Sequence, residues 1–157
     1  MIERTLIILK PDAVQRGLIG RILSRFEDKG LKIVAARLRR LPRALVERHY
    51  EEHRSTAFYA GLVDYMTSGP VLLLCLEGPA AIPVCRMLMG KTFGDQSPPG
   101  TIRGDLSSSH GLNLVHGSAS AADARREIEL FFPAEDRIDY ALATEAWTIN
   151  AEDRTRA

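Results

Sequence analysis

The sequence has few cysteines, no long apolar run and almost no net charge, and each scarcity excludes a class of protein. Two cysteines among 157 residues are too few for the disulfide framework of a small secreted scaffold, which usually carries more. Cys75 lies in an apolar run and Cys85 in a predicted helix. We therefore expect two buried, reduced thiols, although the sequence alone leaves a bridge between them open.

Apolar runs are short, and none approaches the ~20 residues that a membrane-spanning helix needs. Residues 1–4 also lack the cationic and then apolar layout of a signal peptide, so we expect a soluble, cytoplasmic protein. The net charge is only +1, so no global field attracts nucleic acid or a membrane surface. The composition predicts one domain over residues 1–157, with a C-terminal tail from about 148 to 157.

The order of patterns along the chain predicts an α+β fold. Strand-like apolar runs cover residues 5–9, 31–38, 71–76 and 112–115, and helical spacing recurs at 18–30, 42–50, 58–66, 80–89 and 121–131. Residues 90–104 form a long segment without predicted structure, which is usually functional or disordered. Two βαβ-like halves predict a ferredoxin-like sandwich, in which helices cover the faces of a four-stranded antiparallel sheet.

One histidine, His116, is a candidate functional residue. His116 follows a predicted strand and precedes Gly117 and a serine-rich helix start, where free backbone amides can bind anions. Considered alone, such a histidine is more often structural, held by a neighbour. Arg86 lies on the predicted helix just before the long segment, and Arg103 lies within the segment. Together they favour a phosphate clamp, because the guanidinium fork matches phosphate geometry. Their spacing fits solvated surface cations equally well.

Three short patterns resemble known motifs without the context that those motifs need. Gly90-Lys91-Thr92 resembles the end of a phosphate-binding P-loop, but Cys85 stands where that loop requires glycine. His49 and His53 match the H-x-x-E-H pattern of a zinc peptidase. No third ligand is evident, so we favour a solvated helix face for this pair. A basic cluster at positions 37, 39, 40 and 43 has no interleaved aromatics, which favours a solvated edge over a nucleic-acid groove.

Four separated motifs resemble the nucleoside diphosphate kinase family. The segment N-L-V-H-G-S-A-S at residues 113–120 is similar to the family's asparagine, two apolar residues and histidine-glycine-serine. The segments E-R-T-L-I-I-L-K-P-D-A-V-Q-R-G-L-I-G at 3–20, F-Y-A-G-L-V-D-Y-M-T-S-G-P-V at 58–71 and P-G-T-I-R-G-D at 99–105 are also family-like. The resemblance runs over residues 3–147. Four motifs in the expected order are far more specific than any one of them.

The resemblance implies an enzyme that moves the γ-phosphoryl group of a nucleoside triphosphate, chiefly ATP, to a nucleoside diphosphate. The group would travel on a phosphohistidine at His116 in a ping-pong reaction. Glu127 would hold the other ring nitrogen and Ser118 would support Glu127. The residues implied around the phosphates are Lys10, Tyr50, Arg86, Thr92 and Arg103. Lys10 and Asn113 would also reach the ribose, and Phe58 and Leu62 would contact the base, since stacking accepts any base.

The same resemblance implies a cofactor and an assembly. Mg²⁺ would arrive with the nucleotide, held by phosphates and water rather than by protein side chains. The partners would be ATP and other nucleoside di- and triphosphates, with no membrane and no specific nucleic acid. A homo-oligomer is implied, with a hexamer favoured over a tetramer. A module that binds nucleotides or partners without turnover is the alternative, although the full set of catalytic positions argues against it.

Three positions depart from the family's pattern. Ala119 stands where an aspartate commonly follows H-G-S, so an acidic group near the helix start is missing. Gly94 stands where many members have proline, which predicts a more flexible loop and a less stable subunit. His110 stands where an apolar residue usually lies beside the base. We therefore expect base stacking or its pH dependence to differ here.

Overall fold

The computed structural model describes residues 1–155, and its centre is a four-stranded antiparallel sheet. The strands are β1 (Ile2–Leu9), β2 (Lys32–Arg40), β3 (Pro70–Pro79) and β4 (Val115–Gly117), in the order β2-β3-β1-β4. β1 pairs with β3 along its whole length and with β4 over its last three residues. This order, with helices on the sheet faces, confirms the predicted ferredoxin-like α+β sandwich.

Helices connect and cover the strands. They are α1 (Pro11–Gln15), α2 (Ile19–Glu27), α3 (Arg43–His49), α4 (Tyr59–Thr67), α5 (Ala81–Met89), α6 (Ile102–Leu106), α7 (Ala121–Phe131), α8 (Glu145–Thr148) and α9 (Ala151–Thr155). Short 3₁₀ turns cover Glu51–His53, Gly94–Gln96 and Ala134–Asp136. Within residues 1–155 no helix combines the length and apolarity that crossing a bilayer requires.

The core has two parts, one on each face of the sheet. Leu6 and Ile8 of β1 belong to one part, while Ile7 and Leu9 belong to the other, because successive strand residues point to opposite faces. All four side chains are fully buried. A strand covered on both faces reads as an unbroken apolar run, which also explains the run at residues 71–76 of β3.

Local caps fix the elements that border the site. The Ser120 hydroxyl accepts a hydrogen bond from the backbone N–H of Asp123 at 3.1 Å and so caps α7. The Thr101 hydroxyl accepts from the backbone N–H of Gly104 at 3.0 Å and caps α6. The long segment at 90–104 is therefore not irregular throughout, since it contains a 3₁₀ turn and the start of α6.

The last strand begins later than predicted. Leu114 has φ of 69°, in the left-handed region that non-glycine residues seldom adopt, so extended pairing cannot run through residues 112–115 as expected. β4 starts only at Val115, and His116 lies within it opposite Ile8 rather than after its end.

Two further expectations can be compared with the structure. Cys75 and Cys85 are both buried and free, which confirms the expected thiols. In the expected tail, residues 151–155 form α9, and the backbone carbonyl of Asp153 accepts a hydrogen bond from the amino group of Met1 at 3.0 Å. The last two residues of that tail, 156–157, lie outside the described residues.

Candidate active site

The predicted site residues gather around one cleft of about 1320 Å³. The cleft is lined by ten of them, namely Lys10, Tyr50, Phe58, Leu62, Arg86, Thr92, Arg103, Asn113, His116 and Glu127. The eleventh, Ser118, is fully buried and lies behind Glu127. Residues far apart in sequence thus converge on one cavity beside β4.

A chain of buried hydrogen bonds holds the ring of His116 in place. The His116 Nε2 lies 3.1 and 3.2 Å from the two carboxylate oxygens of Glu127. The Ser118 hydroxyl donates to Glu127 Oε2 at 2.6 Å and accepts from the backbone N–H of Leu6 at 3.1 Å. β4 supplies the ring and α7 supplies the carboxylate, so two packed elements fix their relative position.

The charge of Glu127 determines which nitrogen of His116 carries the proton. Burial alone would raise the pKa of Glu127, but hydrogen bonds from His116 and Ser118 outweigh it and hold this pKa below its usual range. An ionised carboxylate only accepts hydrogen bonds, so His116 donates through Nε2–H. A neutral imidazole with its proton on Nε2 has its lone pair on Nδ1.

A second polar chain runs along the cleft from β1. The Lys10 ammonium donates to Asn113 Oδ1 at 2.7 Å, and the Asn113 amide donates to the backbone carbonyl of Thr92 at 2.7 Å. Burial lowers the pKa of Lys10 to about 8, with a smaller contribution from the nearby Arg103. This ammonium is therefore a desolvated cation ready to pair with an anion.

The two arginines differ in what holds them. The buried Arg103 guanidinium donates to the backbone carbonyls of Gly90, Lys91, Asn113 and Val115 at 2.6–3.2 Å. It ties the long segment to β4 while facing the cleft. In the part of the chain that the structure describes, the Arg86 side chain forms no hydrogen bond or ion pair, so its donors are available to a ligand.

Two residues that build the site, Asp12 and Leu114, were not identified from the sequence. The Asp12 carboxylate accepts from the hydroxyl of Tyr65 and, at 3.1 Å, from the backbone N–H of Leu114. The Leu114 carbonyl accepts from the backbone N–H of Lys10 at 2.8 Å. A non-glycine residue in the left-handed region costs roughly 1–3 kcal/mol, and these bonds hold Leu114 there. The only sequence signal was Asp12 at the start of α1, two residues after Lys10.

His49 and His53 do not share a solvated helix face, contrary to expectation. α3 ends at His49, and His53 belongs to the following 3₁₀ turn. The His49 side chain is 2% exposed, and its ring packs edge-on to that of His116 with centroids 4.7 Å apart. Both ring nitrogens of His49 and the hydroxyl of Tyr50 are buried without a hydrogen-bond partner among the described residues.

The outer end of the cleft is aromatic. Phe58 is 57% exposed and available for contact with a ligand. The rings of Phe93 and His110 stack at 3.8 Å with an interplanar angle of 10°. His110 Nδ1 lies 3.3 Å from both carboxylate oxygens of Asp95, so the imidazole joins the loops on either side of α6.

Gly94 fills a tight site, which argues against the flexible loop expected there. The residue is buried, and an added Cβ would lie 2.4 Å from Ser107 Oγ and 2.6 Å from the Ser107 carbonyl oxygen. A proline at this position would meet the same atoms. The missing side chain permits a close approach of two segments. Ala119 lies at the cleft wall, where it adds no charge.

Comparison with known proteins gives consistent matches over most of the chain. The family model described as nucleoside diphosphate kinase matches residues 3–137. A nucleoside diphosphate kinase of Thermomicrobium roseum is 50% identical over 145 residues, covering 92% of this chain and 97% of that protein. One from Thermus thermophilus is 51% identical over 134 residues, covering 85% of this chain and 98% of that protein.

Solved structures agree with the sequence matches. A halophilic nucleoside diphosphate kinase from Halobacterium salinarum in complex with CDP superposes with a TM-score of 0.93 at 43% identity, covering 96% of this chain and 100% of that one. A transition state mimic of the Borrelia burgdorferi enzyme with bound vanadate and ADP gives a TM-score of 0.88 at 36% identity, covering 94% and 98%.

Proposed function

The chain belongs to the nucleoside diphosphate kinase family, and from that premise we propose that His116 is its phosphoryl carrier. The enzyme transfers the γ-phosphoryl group of a nucleoside triphosphate to a nucleoside diphosphate through a phosphohistidine. The ionised Glu127 on Nε2 carries the assignment to His116, because it leaves the Nδ1 lone pair free toward the cleft.

Each half-reaction is one displacement at phosphorus. The Nδ1 lone pair forms a bond to the γ-phosphorus while the bond to the bridging oxygen breaks, and the nucleoside diphosphate leaves with that electron pair. A terminal oxygen of a second diphosphate then attacks phosphohistidine, and the electrons of the N–P bond return to Nδ1. Glu127 stabilises the positive charge that grows on the ring, and Ser118 keeps the carboxylate in place.

The charged lining positions the phosphates. Lys10, Arg86 and Arg103 provide cations, and the hydroxyls of Tyr50 and Thr92 provide further donors. The hydroxyl of Tyr50 is buried and has no hydrogen-bond partner in the described part of the chain. This supports the role, because a phosphate oxygen would accept its hydrogen bond. Phosphoryl transfer depends mostly on such positioning and charge stabilisation.

The rest of the cleft suits the nucleoside. Lys10 and Asn113 are joined by a hydrogen bond and contact the ribose hydroxyls. Phe58 stacks on the base with Leu62 beside it, and the exposed ring of Phe58 supports this contact. Stacking on a ring face does not discriminate among bases, which suits an enzyme that serves several nucleotides.

Mg²⁺ is the cofactor that this site suits, and the nucleotide holds it. Glu127, the carboxylate nearest the reacting ring, is engaged by His116 and Ser118, so the phosphates and water supply the ligands. When bound, Mg²⁺ neutralises charge on the transferred group. The side chains of this chain orient the phosphates around it and exclude water from the ring of His116.

The assembly is a homo-oligomer of single-domain subunits, a hexamer rather than a tetramer, in the cytoplasm. Exposed apolar side chains support subunit contacts, among them Leu38 on the edge strand β2 and Trp147, which is 91% exposed. The free thiols of Cys75 and Cys85 support a reducing compartment. Light scattering should give six subunit masses, and four would contradict the hexamer.

A phosphoenzyme assay tests the carrier. After brief mixing with γ-labelled ATP and Mg²⁺, wild type should carry acid-labile, base-stable label and His116→Ala should carry none. Equal labelling of both proteins would refute the assignment. Transfer from ATP to dGDP separates the enzyme from a binding module, since tight nucleotide binding without transfer would favour the module.

A further inference from the structure

The ring of His49 is a buried polar group whose nitrogens have no hydrogen-bond partner within residues 1–155. Both of its nitrogens lack a hydrogen bond among the described residues, and an unsatisfied buried polar atom costs about 1–3 kcal/mol. A neutral imidazole has one nitrogen lone pair, and no group within residues 1–155 uses that of His49.

Two other ligand-bearing side chains face this ring. One ligand atom from each of His49, His116 and Glu127 can be chosen so that all lie within 4.8 Å of one another. The distance from His116 Nε2 to Glu127 Oε1 is 3.1 Å, and from His49 Nδ1 to the same oxygen it is 3.9 Å. Ligands of tetrahedral zinc, bound at ~2.0–2.1 Å, stand roughly 3.3 Å apart, so modest rotations suffice.

We propose that His49, His116 and Glu127 form an inhibitory site for Zn²⁺ at the floor of the cleft. Two imidazoles and one carboxylate are a ligand set that zinc uses in proteins, with a fourth position left to water. Mg²⁺ prefers oxygen ligands, so this site does not compete for the nucleotide's own cation. All three residues line the cleft, which gives the ion a path from solvent.

The proposed inhibition follows from the tautomer of His116. Zn²⁺ bound to Nε2 takes the lone pair of that nitrogen and displaces its proton. A neutral imidazole coordinated in this way carries its one proton on Nδ1, so Nδ1 has no lone pair for the γ-phosphorus. The nucleotide phosphates bind other residues, so zinc should block phosphorylation without blocking nucleotide binding.

One positively charged side chain, Arg126, lies close to the proposed zinc site. The Arg126 guanidinium lies 3.8 Å from Glu127 Oε1 and 3.6 Å from Asp123 Oδ1. Its side chain is 45% exposed, so it can keep the Asp123 contact while the carboxylate turns toward the ion.

Equilibrium dialysis against Zn²⁺ alone tests the site without any catalytic step. Wild type, stripped of metal by a chelator, should bind one zinc per chain. His49→Phe keeps an aromatic ring in the buried position and should weaken binding at least tenfold. His53→Phe is the matched control, since His53 is part-exposed beside Glu52, and should stay within twofold of wild type.

Several results would overturn the site. No stoichiometric zinc on wild type would do so, as would equal affinity in His49→Phe or an equal loss in His53→Phe. Circular dichroism checks that His49→Phe folds. Should it not fold, His116→Ala supplies the same test at a less buried position, with the same tenfold loss expected.

The inhibitory effect rests on the proposed role of His116 and needs its own readout. Zinc in a buffered solution should abolish phosphoenzyme formation while the affinity for MgADP stays within twofold. Loss of MgADP binding would instead indicate zinc in the phosphate subsite and refute the proposal. If zinc binding depends on His49 but zinc-free wild type takes no label on His116, the metal site stands and the proposed carrier fails.

Discussion

The Ser118 hydroxyl lies 2.6 Å from Oε2 of Glu127, and both groups are buried behind the ring of His116. This hydroxyl also accepts a hydrogen bond from the backbone N–H of Leu6, so it joins the central strand β1 to the carboxylate on α7. The orientation of Glu127 is therefore set by the sheet as well as by its own helix.

Ser118→Ala should lower kcat roughly tenfold, because Glu127 loses one of the two groups that hold it, and ~1.4 kcal/mol of barrier is a factor of ten. It should also reduce the free energy of unfolding by about 1–3 kcal/mol, since the N–H of Leu6 loses its partner. Steady-state kinetics and urea unfolding measure the two effects.

Ser120→Ala is the control for that variant. It removes a hydroxyl that caps α7, and it should cost about 1 kcal/mol of stability with kcat within twofold of wild type. A similar loss of kcat in both variants would show that stability, rather than the Glu127 contact, accounts for the effect.

Nucleotide affinity should fall as pH rises above about 8. Burial lowers the pKa of Lys10 to about 8, so the free enzyme loses there the positive charge that we propose to bind phosphate. Above that pH the Kd of MgADP should rise by up to about tenfold per pH unit, until the nucleotide-bound enzyme also loses this proton. In Lys10→Gln the Kd should be higher at pH 7 and nearly constant between pH 7.5 and 9.5. If the Kd of Lys10→Gln rose with pH as steeply as that of wild type, the pH dependence would belong to another group.

The same pKa gives a stability prediction with the opposite trend. The folded protein releases the Lys10 proton near pH 8, whereas an unfolded lysine holds it to about 10.5. The unfolded state therefore binds more protons between these values, so the Lys10 contribution makes stability rise with pH across that window. The urea midpoint of unfolding should be measured for wild type and for Lys10→Gln between pH 8 and 10. The wild-type midpoint minus the variant midpoint should increase as the pH rises.

Gly94→Ala should destabilise the fold by about 1–3 kcal/mol, the usual cost of overpacking. The new Cβ would lie under 3 Å from the side chain and carbonyl oxygen of Ser107, and the carbonyl cannot rotate away. Gly20→Ala is the control, because nothing lies within 4 Å of its added Cβ and it sits in α2. That variant should be neutral or stabilising by up to ~1 kcal/mol. Equal unfolding midpoints would contradict the packing argument.

Apolar periodicity and turn residues were sufficient to predict most of the fold. The buried parts of β1 and β3 form unbroken apolar runs in the sequence, and helical spacing located α7. The strand near residue 114 was misplaced, because a leucine carries no sign of a left-handed backbone. That conformation depends on Asp12, about 100 residues earlier in the chain.

The candidate site could be predicted only in part from sequence. Motif resemblance pointed to the residues that line the cleft, since those side chains occupy fixed positions in the motifs. It did not indicate that Arg103 is bonded to four carbonyls or that His49 is buried against His116. Both facts depend on how distant segments pack, and the pattern around His49 favoured a solvated face instead.

His110→Ala should raise KM for nucleotides by about two- to tenfold with little change in kcat. The variant removes a ring stacked on Phe93 and a contact to Asp95, and an aromatic pair of this kind contributes about 0.5–1.5 kcal/mol. Loosening the two loops affects the end of the cleft where we propose that the base binds, whereas His116 and Glu127 lie on β4 and α7. His110→Phe is the matched variant, because it keeps the stack and loses only the Asp95 contact. Its KM should lie between those of wild type and His110→Ala. A fall in kcat with unchanged KM would place His110 in the chemistry of phosphoryl transfer rather than in binding.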